Sequence, residues 1–349
     1  MKAWSLASIG NIELIDKDIP SPKSGEVLVK VKACGVCGSD IPRIYQNGAH
    51  KMPLTIGHEF SGEVADVASG ISKDWIGKRV GIFPLIPCKE CPPCRAAKYE
   101  MCRHYDYLGS RSDGGFAQYV CVPEWNLIEL PDNVSFEAAA MLEPMAVAVH
   151  SMRQVKIEAD DTILIIGAGT IGILLTMFLI DSGIKNVLVV GNKSFQKEQL
   201  TKIGLPEVNY FDSKSSDISA WVMSKTSNSG ADICFDCVGK SEIYSECISL
   251  ARPGGQVVLV GNPYSDMKLD QNIYWKILRN QLTLHGTWNS SFTKEETDDW
   301  HYVINRLAKE SIHPDSLISH RFSIGDIDTG FRIMKNKSED YLKIMMIND

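Results

Sequence analysis

The sequence predicts an α/β chain of two domains: a barrel-like domain of short strands, then a doubly wound parallel sheet. Three observations carry that expectation. The chain has 349 residues, more than one simple hydrophobic core organises. Residues 1–150 hold short alternating runs cut by turn residues, whereas beyond residue 150 apolar strands alternate with helices. A glycine-rich turn, Gly167-Ala-Gly169-Thr170-Ile171-Gly172, stands where a strand passes into a helix.

In the first part, residues 27–33, 62–67 and 116–122 read as strands. Ser24-Gly25, Ser69-Gly70, Asp113-Gly114-Gly115 and Pro131-Asp132-Asn133 punctuate them. In the second part, 162–166, 186–190, 232–236 and 256–260 are apolar strands, and 171–181, 194–203 and 241–251 have helical length and pattern. From residue 290 the chain turns polar and helical, then ends in a short strand at 342–347, able to return to the first domain. The domain boundaries expected are therefore 1–150 with 290–349, and 151–289.

The formal net charge is −7, with 44% apolar and 23% charged residues. That is ordinary globular composition, and it argues against nucleic acid as the main partner, because phosphate backbones select a basic face. The uncharged run 162–180 is nearly long enough to cross a bilayer, but the glycines at its centre favour strand, turn and helix. No export signal is read at the N-terminus, where charges return at Glu13, Asp16, Lys17 and Asp18. A cytoplasmic location without a membrane partner is expected.

Ten cysteines are present. Cys88-Lys-Glu-Cys91-Pro-Pro-Cys94 is followed after seven residues by Cys102. Four thiolates on one stiffened loop can close a tetrahedron around Zn²⁺, and four protein ligands make that zinc structural. A zinc ribbon on nucleic acid is the rival reading; the loop offers Lys89, Arg95, Lys98, Arg103 and His104, on an acidic chain.

A second constellation is scattered. Cys37-Gly-Ser39-Asp40, Gly57-His58-Glu59 and Leu142-Glu143-Pro144 lie in three separate segments. A Cys, a His and a Glu brought together would leave a fourth metal position open, as catalytic zinc requires. Singly, each has a plain structural explanation, and the flanking glycines are what favour a site. Asp40 would hydrogen-bond the imidazole of His58 from behind, and Ser39 would take a proton from the substrate. Both residues also suit a helix start as caps. Cys34, and the Cys234-Phe-Asp-Cys237 pair, read as packed core thiols.

The glycine-rich turn places free N–H groups and a helix N-terminus where a pyrophosphate would sit. A carboxylate at the end of the second strand would bind the adenosine ribose and select NAD. The sequence there is Val190-Gly191-Asn192-Lys193-Ser194. Gly191 leaves room, and Asn192, Lys193 and Ser194 suit a 2′-phosphate, so NADP is preferred over NAD, with a merely solvated Lys193 and loose NAD use as the alternative.

With these motifs in this order, the chain resembles the zinc-containing medium-chain dehydrogenase/reductase family over its whole length. Cys37-Gly-Ser-Asp40, Gly57-His-Glu59, the four-cysteine lobe, Asp113-Gly-Gly-Phe-Ala-Gln-Tyr119, Glu143-Pro144 and Gly167 to Gly172 carry the resemblance. Within the family it looks most like the galactitol-1-phosphate 5-dehydrogenases and related polyol dehydrogenases, through Cys37-Gly-Ser-Asp-Ile-Pro-Arg-Ile44, Asn47-Gly-Ala-His50, Gly109-Ser-Arg-Ser-Asp-Gly-Gly-Phe116 and Gly286-Thr-Trp-Asn289. The resemblance implies a GroES-like β-barrel catalytic domain and a Rossmann domain. It implies two zinc ions per chain: a catalytic one on Cys37, His58 and Glu143, with Glu59 as an exchanging ligand, and a structural one on Cys88, Cys91, Cys94 and Cys102. It places Val260 and Gly261 with the glycine turn at the cofactor, and it implies a homo-oligomer, dimer or tetramer.

Two positions depart from the polyol-phosphate pattern. Gly191 stands where those enzymes look to carry an aspartate; Gly191-Asn192-Lys193 with Tyr210 is instead similar to the 2′-phosphate site of NADP-dependent secondary alcohol dehydrogenases. Pro42 stands where liver-type members carry a relay histidine. The implied reaction oxidises a hydroxyl: Zn²⁺ acidifies the alcohol, Ser39 takes its proton, and hydride passes to the nicotinamide, expected in a cleft between the domains. The substrate reading is a polyol or polyol phosphate, with a non-phosphorylated secondary alcohol as the alternative. Arg43, His50 and Arg111 are candidates for a substrate phosphate, and Trp288 and Asn289 for the pocket wall; solvated surface charge competes with the former. A cofactor-binding protein without catalysis would lack a ligand or the relay hydroxyl, and none is missing.

Overall fold

The structure is a computed structural model of the chain and describes every residue except Ser216 and Tyr264. The chain divides into two compact units, Met1–Pro144 with Ser291–Asp349, and Met145–Ser290. No helix among the described residues is long and apolar enough to cross a membrane.

The first unit is built on the strand Glu26–Val36. It pairs antiparallel with Glu59–Val67, Tyr119–Pro123 and Lys343–Ile347. One strand serves three partners because Tyr119–Pro123 pairs with its first half, at residues 26–30, and Lys343–Ile347 with its second, at residues 33–36, while its pairing with Glu59–Val67 shifts register between Leu28 and Val29 and again between Val31 and Ala33. Such irregularities add local twist and bend a sheet toward closure. The sheet continues through Arg79–Ile82 and Leu127–Glu129 on one side and Ile318–Ser323 on the other. A smaller sheet joins Asn11–Asp16, Lys2–Ser8 and Leu54–Thr55. Alternate residues of the central strand, Val27, Val29 and Val31, point into one core with Phe60, Val64 and Val80, as the period of two requires.

The strand expected at 116–122 starts only at Tyr119. Phe116 instead uses its backbone to join separate segments: its carbonyl accepts the Trp4 N–H at 2.9 Å and its N–H donates to Ile56 at 3.0 Å. The polar stretch after residue 290 forms the helices Asp299–Ala308 and Ile327–Asn336. Between them lies the strand Ile318–Ser323, which sequence reading left out; it is an edge strand whose residues alternate with exposed polar ones, so its apolar signal is thin. The last strand, Lys343–Ile347, does return to the first unit. It inserts between Ile318–Ser323, to which it runs parallel, and Glu26–Val36, to which it runs antiparallel.

The second unit is a six-stranded sheet in the order Tyr210–Asp212, Asn186–Gly191, Thr162–Ile166, Ala231–Asp236, Ala251–Leu259, Thr283–Gly286. Every pairing is parallel. This is the doubly wound order, with its switch point between Thr162–Ile166 and Ala231–Asp236. The two outermost strands were not read from the sequence, one being three residues long and the other mostly exposed. The inner strands bury Leu164, Ile166, Leu188, Val190, Cys234 and Val257. That burial confirms Cys234 as a core thiol.

After Thr162–Ile166 the chain turns at Gly167, with φ +113°, and enters the helix Thr170–Asp181. A Cβ on Gly172 would stand 1.9 Å from the Gly167 carbonyl oxygen, whereas one on Gly169 would meet nothing within 4 Å. Gly172 is thus required by packing and Gly169 by no protein neighbour. Gly172→Ala should lower stability by about 1–3 kcal/mol, since backbone must shift to admit the methyl group, and Gly169→Ala should leave it near the parent value. Urea denaturation midpoints of the two variants check this; equal midpoints would contradict it.

Candidate metal and dinucleotide sites

Three side chains able to bind a metal ion converge in the first unit. Cys37 follows the end of Glu26–Val36, His58 precedes Glu59–Val67, and Glu59 pairs across the ladder with Gly35. Donor atoms of Cys37, His58 and Glu59 all lie within 4.8 Å of one another. His58 and Glu59 are buried. Gly57 sets their direction: its φ is +98°, and a Cβ there would stand 2.7 Å from the Phe116 ring and 2.8 Å from Cys34 Sγ. Asp113 holds the preceding backbone, its Oδ1 accepting the Thr55 N–H at 2.9 Å, while the Gly115 N–H donates to the Gly57 carbonyl at 2.8 Å. The Asp-Gly-Gly motif therefore acts as a clamp behind His58. Cys34 is the buried thiol that the sequence predicted.

Behind the imidazole lies Asp40, with a side chain wholly removed from solvent. Its Oδ2 accepts the Cys37 N–H at 3.0 Å, and its Oδ1 accepts from Arg43 Nη1 at 2.5 Å. His58 Nδ1 stands 3.5 Å from that same Oδ1, long for a hydrogen bond, and has no hydrogen-bond partner among the described residues. Burial by itself would raise the Asp40 carboxyl, but His58, Arg43 and the Cys37 N–H together hold it below the usual carboxylate range. Burial would likewise depress His58, yet Asp40 and Cys37 carry it well above its ordinary value. The pocket therefore carries surplus negative charge and favours a cation, which is the fit a metal needs. Ser39 donates its hydroxyl to Cys37 Sγ at 3.3 Å. It makes no side-chain cap on the short helix Asp40–Pro42, and the Asp40 carboxylate reaches back to the Cys37 N–H and forward to the Arg43 guanidinium.

Two further residues were not legible in the sequence. Lys343 Nζ lies 2.5 Å from Glu59 Oε2 and 3.3 Å from the Val36 carbonyl, with both side chains of the ion pair buried. Burial opposes its charge, but Glu59 and Cys37 raise the ammonium above its usual value. Tyr107 donates to Glu143 Oε1 at 3.0 Å, and its ring stands edge-on to His58. Burial, reinforced by Glu59, raises the Glu143 carboxyl against the opposing pull of His58 and Tyr107. Each carboxylate beside His58 thus has its own anchor. An alternation signal marks neither anchor, because Lys343 looks like a polar residue at a strand edge and Tyr107 like an aromatic in a loop.

Cys88, Cys91, Cys94 and Cys102 form the second cluster, and none is in a disulfide. Sulfur separations are 4.0 Å for Cys88–Cys94, 3.5 Å for Cys91–Cys94 and 3.9 Å for Cys91–Cys102. A tetrahedron with metal–sulfur bonds of about 2.3 Å has edges of about 3.8 Å, so the sulfurs already stand at zinc spacing. The Arg103 N–H, with other donors, pushes Cys91 down to about 6, and burial pushes Cys94 up to about 12.

In the second unit, Gly167, Gly169, Thr170, Ile171 and Gly172 form the turn into the helix Thr170–Asp181, with Gly169 at its N-cap and exposed. Val260 and Gly261 follow the strand Ala251–Leu259, with both N–H groups donated to the Asp236 carbonyl at 2.9 and 2.8 Å. Asp236 also caps its own loop, accepting from Val238 and Gly239. Gly191 ends Asn186–Gly191; a Cβ there would stand 2.5 Å from the Tyr210 hydroxyl and 2.8 Å from Gln196 Oε1. Tyr210 donates to the Lys193 carbonyl at 3.1 Å, and Gln196 accepts the Asn192 N–H at 3.1 Å. Lys193 Nζ lies over the Phe195 ring. Gln196 is the member of this corner that the sequence did not suggest.

The candidate substrate residues are dispersed. Arg43 points inward to Asp40, His50 is exposed, and Arg111 lies 4.4 Å over the Tyr105 ring. In the second unit Trp288 is exposed, and Asn289 follows it with φ +54°.

Two family models match the chain: an alcohol dehydrogenase GroES-like domain over residues 23–132 and a zinc-binding dehydrogenase over residues 170–309. Galactitol 1-phosphate 5-dehydrogenase of Escherichia coli K12 is 33% identical over 317 residues, 90% of each chain. The crystal structure of galactitol-1-phosphate dehydrogenase from Escherichia coli matches with a TM-score of 0.92 and 32% identity over 100% of both chains. A Sinorhizobium meliloti 1021 structure bound to NADP matches at TM-score 0.90 and 28% identity over 99% of both. The rspB protein of E. coli CFT073, complexed with NADH, matches at TM-score 0.90 and 27% identity, covering 100% of this chain and 99% of that one.

The Lys343–Glu59 pair yields a direct test. Lys343→Met leaves a buried carboxylate without its cation and should cost about 3–5 kcal/mol. Adding Glu59→Gln to it should restore much of that loss. Denaturant unfolding of the two single variants and the double variant gives the coupling; strictly additive losses would show that the pair does not interact.

Proposed function

The chain belongs to the zinc-binding alcohol dehydrogenase family and is an oxidoreductase, and on that premise we propose that it moves a hydride between a secondary hydroxyl of a polyol or polyol phosphate and NAD(P), giving the ketose. The observation that carries the proposal is the convergence of half-buried Cys37 with buried His58 and Glu59, backed by Asp40, with Glu143 held nearby by Tyr107. Cys37 and His58, with a carboxylate from Glu143 or Glu59, would hold a catalytic zinc. The four-cysteine cluster would hold a structural one. The catalytic metal, when bound, supplies Lewis acidity that brings a substrate hydroxyl toward neutral pKa.

The protein's own groups do the rest. Asp40 orients His58, so that the far ring nitrogen faces the metal position. Lys343 and Tyr107 hold the two carboxylates. Ser39, beside Cys37 Sγ, is placed to take the substrate proton; with Pro42 in the next turn, the proton leaves by a route other than a histidine. The N-terminus of the helix Thr170–Asp181 would hold a pyrophosphate of the dinucleotide. The Gly191 corner favours NADP, because Tyr210 and Gln196 fill the space a ribose-binding carboxylate at residue 191 would need.

The alternative substrate, a non-phosphorylated secondary alcohol, gains from one observation: Arg43 is engaged with a buried carboxylate, which leaves Arg111 and His50 as the candidates for a phosphate. A homo-oligomer is supported by the edge strand Thr283–Gly286 and the neighbouring exposed Tyr274, Trp275, Leu278 and Leu284, since an open strand edge with apolar neighbours invites pairing.

Metal analysis of the purified chain should give two zinc ions, falling to one in Cys37→Ser and, separately, to one in Cys91→Ser. Only Cys37→Ser should lose activity through the reaction centre itself; full turnover by that variant after zinc depletion would refute the proposal. Initial rates with NAD and NADP across polyols and polyol phosphates should show higher kcat/KM with NADP. Gly191→Asp by itself should not reverse that ratio, because the new side chain meets Tyr210; a clean switch to NAD would show that the corner does not select the cofactor.

A further inference from the structure

We infer that Arg43 is a positioning residue for the catalytic metal, acting through Asp40 on His58, and not a ligand for substrate. The inference rests on the metal reading of Cys37 and His58 proposed above. It starts from a carboxylate with no exposed surface. Asp40 has three neighbours able to compensate it: the Cys37 N–H on Oδ2, and Arg43 and His58 both on Oδ1. Arg43 makes the short contact, 2.5 Å, and its side chain is itself only 17% exposed. The imidazole is the distant partner at 3.5 Å.

An aspartate behind a metal-bound histidine fixes the ring and its tautomer, but it can do so only if it is itself fixed. The backbone N–H of Cys37 restrains one oxygen. The other would be free to turn without Arg43, since His58 lies beyond ordinary hydrogen-bond length. Arg43 is well placed for this task. It stands three residues after Asp40, where helical winding brings side chains to one face, and its guanidinium is a rigid, permanently charged donor. A buried carboxylate that loses its closest charged donor is left poorly compensated and seeks water or another donor, and the orientation of His58 goes with it. The same bond takes one of the guanidinium's donors into the protein interior, away from a role on an incoming phosphate.

The two metal clusters provide an internal control. Zinc release from the loaded protein to an excess of chelator is followed by a colorimetric zinc indicator, for the parent, Arg43→Gln, Arg43→Lys and Cys91→Ser. Arg43→Gln should speed the loss of one zinc per chain by roughly 10–100-fold, the usual effect of removing an outer partner of a metal ligand, and leave the other at the parent rate. Cys91→Ser identifies the phase belonging to the four-cysteine cluster. Arg43→Lys, which keeps a cation near Oδ1, should fall between parent and Arg43→Gln. Cobalt substitution gives a second readout: the absorption bands of the cobalt at the Cys37 site should shift in Arg43→Gln.

Parent-like release of both ions from Arg43→Gln would overturn the inference, as would an equal acceleration of both, which marks general loosening of the fold. So would a changed preference between free and phosphorylated polyols with zinc release unaltered, which returns Arg43 to the substrate. Failure of the underlying reading looks different: the parent would bind a single zinc, or Cys37→Ser would still bind two.

Discussion

The ion pair between Lys343 and Glu59 joins the strand Lys343–Ile347 to the carboxylate beside Cys37 and His58. Both side chains are buried, so neither charge is tolerable without the other. The pair is possible only because Lys343–Ile347 lies beside Glu26–Val36 and places Lys343 near Gly35, where a Cβ would stand 2.5 Å from Glu59 Oε2. Gly35 therefore supplies the room, the terminal strand supplies the cation, and Glu59–Val67 supplies the carboxylate. Asn348 secures the same strand from beyond, donating its amide to the Val31 and Ala117 carbonyls at 3.1 Å each. Three segments far apart in sequence thus meet at a single buried charge pair.

Around this pair the pocket is arranged by charge. The carboxylates of Glu59, Glu143 and Asp40 and the Cys37 thiol are gathered about one imidazole, and Lys343 and Arg43 oppose the carboxylates at close range. Each carboxylate is tied to a named donor: Glu59 to Lys343, Glu143 to Tyr107, Asp40 to Arg43 and the Cys37 N–H. These bonds reduce the freedom of the ligating groups before any cation arrives, which is the condition for a geometrically selective metal site. The upward pull on His58 has the same origin, for a proton is the simplest cation such a pocket can attract.

The second unit reaches selectivity by space instead of charge. Gly172 lets the helix close on the Gly167 carbonyl, and Gly191 lies beneath Tyr210 and Gln196. At both positions the absence of a side chain is required by a neighbour in the protein. Gly169 differs: its face is open to solvent.

Much of this was legible in the sequence. Spacing determined the four-cysteine cluster, because short gaps on one loop leave the sulfurs few other arrangements, and the glycine turn declared itself between a strand and a helix. The alternation of apolar strands and helices determined the doubly wound sheet. Cys37 and His58 were recognisable by motif. The anchors were not: Lys343, Tyr107 and Gln196 carry no local signature, and the bond from Arg43, a candidate for a substrate phosphate or a solvated charge, to Asp40 had none either. Nor were the edge strands Tyr210–Asp212, Thr283–Gly286 and Ile318–Ser323, which are short or exposed and so write a weak pattern. The division has a physical reason. Local rules of turn, ligand spacing and periodicity act over a few residues and are written in order along the chain. The partner of a buried charge is chosen by whichever strands pack together, across a separation of 284 residues in the case of Lys343 and Glu59, and only the folded chain makes that choice.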